Sequence, residues 1–169
     1  MKTRILILTT LVIVITIFSC KKDDAEEIST YVSSASITAT VNDTAWSAFT
    51  RVTKHYPSTN LFVIAGTDTD GKILSLTIKA DSAGIYTSST SIDSLSAKVG
   101  AVWKPKSGQY ISNKGTVEIT EVNTAEKKIS GTFNFTIINT SDLTDDISIR
   151  SGKFTNIGYT EESDTTSTN

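Results

Sequence analysis

The segment Ile129-Ser130-Gly131-Thr132-Phe133-Asn134-Phe135-Thr136-Ile137 alternates without a break: its odd positions are apolar or glycine and its even positions are all polar. A period of two sends successive side chains to opposite faces of a pleated strand, whereas a helix would scatter the same residues around its circumference. Leu74, Leu76 and Ile78 alternate in the same way with Ser75, Thr77 and Lys79, and Val117 and Ile119 with Thr116, Glu118 and Thr120. From about Tyr31 onward the chain is rich in Thr, Ser, Ile and Val, whose short or β-branched side chains suit a pleated surface with one dry and one wet face.

Turn chemistry punctuates these runs at short intervals, as antiparallel pairing requires. Asp70-Gly71 separates Leu61–Ala65 from the Leu74 strand, and Asn123-Thr124-Ala125-Glu126-Lys127 separates the Val117 strand from the Ile129 strand. Further strands are predicted at Ser36–Val41, Ala97–Trp103, Ile147–Arg150 and Lys153–Ile157. Eight to ten strands result, so the expected fold is all-β, an antiparallel β-sandwich or a closed β-barrel. Ser91 to Gly100 is the exception, because Ile92, Leu95 and Val99 stand at helical spacing behind a Ser91 cap and predict one short helix or a loop crossing the sheet. The single β domain is expected over residues 33–160, followed by an acidic, then Ser/Thr-rich tail at 161–169 that lacks apolar anchors and is expected to be disordered.

Two residue types are scarce enough to exclude whole chemistries. Cys20 is the sole cysteine and His55 the sole histidine of 169 residues. Intramolecular disulfides, thiolate metal sites and multi-histidine centres therefore lack their ligands. A formal net charge of −2, with Lys104, Lys106 and Lys114 scattered, argues against nucleic acid as a partner. Thr67-Asp68-Thr69-Asp70-Gly71-Lys72 superficially resembles a calcium loop, but Thr77 stands where the twelfth-position Glu belongs, and a hairpin tip is the better reading. Asp142, Asp145 and Asp146 read as a solvated loop. Glu118 and Glu121 are expected on opposite faces of one strand, and His55, beside Tyr56-Pro57, is expected at the surface. No catalytic constellation, metal site or cofactor is expected, and the chain is read as a non-enzyme.

The N-terminus is a targeting segment. Lys2 and Arg4 precede an apolar run from Ile5 to Ile17, within the roughly 7–15 residues of a signal h-region and short of the about 20 that a spanning helix needs. Ile17-Phe18-Ser19-Cys20 resembles the lipobox of bacterial lipoproteins, with Phe18 bulkier than usual. That resemblance implies a signal peptide over residues 1–19, acylation of Cys20 as the new N-terminus, and a membrane anchor. Residues 20–32 then form a charged tether, in which Lys22-Asp23-Asp24 resembles the export signal of surface-exposed lipoproteins in Bacteroidetes. The implied location is the outer membrane, on the cell surface or else on its periplasmic face.

Within the domain, Ile37-Thr38-Ala39-Thr40-Val41-Asn42-Asp43-Thr44-Ala45-Trp46, Gly115–Thr120, Ile129–Phe135 and Ser151–Ile157 resemble a family of small Bacteroidetes lipoproteins of unknown function. This resemblance implies an all-β extracytoplasmic domain and transfers no catalytic residue. Asp43 replaces the Gly expected in the opening turn, a departure Asp tolerates. Candidate contact residues are aromatic, because Trp and Tyr join apolar area to a polar handle. Trp46 is expected in the core, whereas Trp103, at a strand end before Lys104-Pro105-Lys106, is expected to be exposed and, with Tyr110, to form a ligand-binding surface. The expected role is a non-catalytic binding module for a glycan, peptide or protein. An envelope protein acting through protein association is the alternative. If Cys20 carries the anchor, Cys20→Ala shifts the protein from the membrane fraction to the soluble one; membrane retention of that variant would overturn the assignment.

Overall fold

The computed structural model describes residues 34–88 and 98–163. Among these, eleven strands form one sheet and no helix occurs. They are β1 Ser36–Val41, β2 Thr44–Ser47, β3 Thr50–Tyr56, β4 Leu61–Thr67, β5 Ile73–Lys79, β6 Gly84–Ser88, β7 Val99–Lys104, β8 Tyr110–Asn123, β9 Lys128–Asn139, β10 Asp146–Gly158 and β11 Thr160–Glu161. The spatial order is β11-β3-β4-β5-β7-β8-β9-β10-β1-β2, with β6 paired to β8 beside β7. All pairings are antiparallel except β11 with β3.

The sheet curls so far that its two ends meet. β2 pairs with β1 and β3 with β4, yet β2 and β3 are separated only by Ala48-Phe49. At this corner the Ala48 N–H donates to Ile37 O (2.9 Å), continuing the β1 ladder, and the Phe49 N–H donates to Thr67 O (2.8 Å), opening the β4 ladder. One bent segment thus joins the two edges, and the architecture is barrel-like, a solution that leaves few exposed strand edges. Gly66 on β4 makes the corner possible: a Cβ there would lie 2.7 Å from Ala48 Cβ and 3.0 Å from Trp46 Cη2.

Curvature comes from a repeated cross-strand motif on the three longest strands. Phe135 on β9 lies opposite Gly115 on β8, Phe133 on β9 opposite Gly152 on β10, and Phe154 on β10 opposite Gly131 on β9. At each glycine an added Cβ would overlap the facing aromatic ring. The rings therefore lie flat on bare backbone, where any side chain would lift them and open the curl. All three phenylalanines are buried, and the rings of Phe133 and Phe154 stack at 6.3 Å.

Most predicted strands are present, and the differences have identifiable causes. Ile147–Arg150 and Lys153–Ile157 are a single strand, β10. Its alternation breaks twice because bulges fall between Ile149 and Gly152 and between Phe154 and Ile157. Ser151 and Asn156 adopt φ of 51° and 47° there. Their N–H groups donate to Asn134 Oδ1 (3.0 Å) and Ser130 Oγ (2.9 Å) of β9. A bulge in β8 between Ile119 and Glu121 likewise shifts the parity, so Glu118 and Glu121 are both exposed rather than on opposite faces. Asn42 and Asp43, with φ of 45° and 61°, form the two-residue β1–β2 turn, whose positive φ values match a type I′ hairpin. The helix predicted over Ser91 to Gly100 falls largely outside the described residues; its last two positions, Val99 and Gly100, begin β7. Thr160 and Glu161 pair with Lys54 and His55, so order extends past the boundary expected at 160. Residues 1–33 lie outside the described part.

The Phe-over-Gly arrangement carries a stability test. Gly152→Ala should destabilise the domain by about 1–3 kcal/mol in urea denaturation, as overpacking does, and the cost should shrink when Phe133→Leu removes the ring that the methyl group meets.

Candidate functional site

Hairpin parity places four turns at one end of the barrel: β1–β2, β4–β5, β7–β8 and β9–β10. Between them lies a cleft of about 230 Å³, with an aromatic wall of Trp46, Trp103 and Tyr110 and a rim that includes Asn42, Thr44, Asp68 and Lys72. Trp103 faces Leu74 across the β7–β5 ladder, and Trp46 comes from the bent segment that closes the sheet. Their rings meet edge to face at 5.9 Å, nearly perpendicular, a favoured arrangement for aromatic pairs.

Trp103 is not the exposed platform that its position before a loop predicted. It is only 6% exposed and Trp46 5%, because Leu74 and the closing strand enclose both rings. What Trp103 offers is the part of its ring that lines the cleft. The indole N–H of Trp46 is buried and has no hydrogen-bond partner within the protein. A buried donor left unsatisfied costs on the order of 1–3 kcal/mol.

Tyr110 is held in place by the β9–β10 loop. Its hydroxyl donates to Asp145 Oδ2 at 2.7 Å, and Asn139 Nδ2 donates to the same oxygen at 2.9 Å. The hydrogen bond to Asp145 is the main reason that the Tyr110 hydroxyl is raised above its ordinary pKa, so it stays protonated at neutral pH. With its proton committed, the oxygen keeps only acceptor capacity. The loop is tied down again where the Thr140 N–H donates to Gln109 O at 2.9 Å.

The acidic clusters are turn devices. Asp68 Oδ1 accepts the N–H groups of Asp70 (2.9 Å) and Lys72 (2.8 Å), while Gly71, with φ of 83°, completes the β4–β5 tip. Lys72 pairs with Asp70 at 3.2 Å. Asp142 Oδ1 accepts the Thr144 N–H and hydroxyl, which hold its carboxyl below the ordinary range. Among the described residues no group of three acidic, His or Cys side chains could hold a metal ion. Cys20, Lys22, Asp23 and Asp24 lie outside the described residues.

His55 corrects another expectation. It sits within β3 at the barrel end opposite the cleft, half-buried, its ring stacked 4.1 Å from Phe62 and edge-on to Tyr159 at 5.4 Å. Proline at 57 does mark the strand end, since β3 stops at Tyr56, but the inward parity of β3 turns His55 into this aromatic cluster rather than to the surface. Its Nδ1 is buried without a partner. Burial pushes its pKa below the ordinary 6.5, with Glu161 partly opposing. The fold thus prefers neutral His55 and the unfolded chain takes up the proton first. Stability should be complete above the unfolded pKa and decline as the pH falls through 6.5 toward the lower folded value. Urea midpoints measured from about pH 7 to pH 5 should show that decline, and His55→Phe should flatten it.

Sequence reasoning identified Trp103 and Tyr110, and the structure places both in one cleft. It missed the cleft position of Trp46, Asn42, Thr44, Asp68 and Lys72, which come from turns far apart in sequence. The available signal was parity: successive up-and-down strands must return alternate turns to the same end. A family model described as a domain of unknown function (DUF6252) matches residues 33–158. No curated protein and no solved structure matches the chain. A match that spans nearly every strand of the barrel, from β1 to the end of β10, means that this chain belongs to the DUF6252 family.

Proposed function

We propose that this protein is a lipid-anchored, surface-exposed outer-membrane lipoprotein of the Bacteroidetes type, whose β domain is a non-catalytic binding module with its ligand site in the cleft. The observation that carries the binding part of the reading is the cleft itself, a hollow of about 230 Å³ lined by Trp46, Trp103 and Tyr110 at the turn-bearing end of the barrel. Several acyl chains would make such an anchor effectively permanent.

The non-catalytic part of the reading is supported by how the nearby polar groups are committed. Asp68, Asp70 and Asp145 each hold a hydrogen bond or ion pair that shapes a loop, and His55 is at the far end. Among the described residues the acid and the base that line the cleft, Asp68 and Lys72, come from the same β4–β5 turn rather than from facing walls. A second reading, action through protein association, has its own observation: Phe49 and Val52 are 70% and 59% exposed beside the closing corner.

A thermal-shift screen of the full chain against glycans, peptides and envelope proteins tests the choice. A ligand at a hundred times its dissociation constant adds about 2.7 kcal/mol, or roughly 5–15 °C for a domain of this size. The expected result is a stabilising ligand whose effect is lost in Tyr110→Ala and kept in Phe49→Ser. The reverse pattern would move the site to the Phe49 face and favour association.

A further inference from the structure

Resting on the binding-module reading, we infer that the cleft takes a single neutral sugar ring. Size comes first, because about 230 Å³ is below the roughly 300 Å³ at which pockets for drug-sized ligands begin and suits one ring rather than an extended chain. Shape comes next: the site is a compact hollow between four turns, and the strand edge that borders it, β2 (Thr44–Ser47), has only four residues on which an extended peptide could add backbone hydrogen bonds. Tyr110, half-buried, supplies the accessible part of an apolar wall for the C–H face of a pyranose, with Trp46 and Trp103 largely buried behind it.

The rim supplies the complementary half of the recognition. Asn42 and Thr44 offer groups that both donate and accept, and Lys72 offers donors. The Tyr110 oxygen accepts, because its own proton is given to Asp145. Such a mixture pairs with hydroxyls, which also both donate and accept. Charge argues the same way. Lys72 is the sole cation of the lining, and Asp70 neutralises it at 3.2 Å, while Asp68 already accepts two backbone N–H groups on one oxygen. An anionic ligand would find no uncompensated cation, while the Asp68 carboxylate can accept a hydroxyl.

The chain contains two tryptophans, and both line the cleft, so its intrinsic tryptophan emission reports on this site, with variants of the cleft rim separating it from the hollow on the other side of Trp46. The test titrates the full chain, held in a detergent without a sugar head group, with methyl pyranosides of the gluco, galacto, manno and xylo series. A uronic acid, an amino sugar and short peptides serve as comparators. The expected result is a saturable emission change with at least one neutral pyranoside, at a dissociation constant on the order of 1 mM. Thr44→Val and Lys72→Met, which remove polar rim atoms and leave both tryptophans in place, should weaken it about tenfold or more. Saturation only by charged sugars or peptides would overturn the sugar assignment and leave the binding-module reading standing. An emission unchanged by every probe would overturn the assignment as well, and a thermal shift seen without an emission change would move the site out of the cleft.

Discussion

Aromatic rings lying flat on glycine backbone hold this domain in its curled shape. Phe135 over Gly115, Phe133 over Gly152 and Phe154 over Gly131 form one row across β8, β9 and β10, the strands that build the largest continuous part of the sheet. Each ring removes apolar surface from water at about 25 cal/mol per Å², and it does so at a separation that only a missing Cβ allows. The same device recurs at the seam, where Gly66 admits Ala48 and Trp46. Without it the two ends of the sheet could not share one segment, and β2, the terminal strand of the order, would stand as an open edge.

Closure at the seam also creates the cleft. Trp46 belongs to the strand that bends around the corner, and the bend sets its ring edge-on to Trp103 from β7. The hollow beside them is therefore a consequence of how the barrel closes. At the other end the chain uses a different fastening. β11 runs parallel to β3, backed by the Lys54–Glu162 and Lys127–Glu161 ion pairs and by the His55–Phe62–Tyr159 cluster. The exposed ion pairs contribute little on their own; the aromatic cluster contributes more, because it buries area. One end is thus built around packing that excludes water, and the other around four turns that leave a space.

Much of this was legible in the residues. Strict alternation marked β5, β8 and β9, and Asp70-Gly71 and Asn42-Asp43 marked their turns through the need for positive φ. β10 was read as two strands because a bulge inserts a residue, and an inserted residue looks the same in sequence as a break between strands. β2, β3 and β6 were not separately predicted: β2 and β6 have only four and five residues, and the inward positions of β3, Thr53 and His55, are polar, so none shows an apolar alternation. The exposure expected for Trp103 failed for a related reason. Position at a strand end says where the backbone goes, but the cover over the ring comes from Trp46, 57 residues earlier in the chain.

The sequence alone determined the class of the fold, its inward and outward faces, and the sparse inventory of one cysteine and one histidine, because those follow from local periodicity and from counting. Only the tertiary structure decided that the sheet curls onto itself, that the Gly and Phe positions of three strands face each other, and that two tryptophans meet beside a hollow. Those outcomes depend on register between distant strands. Register is set by the summed packing of all the strands at once, and no local window of the chain contains it.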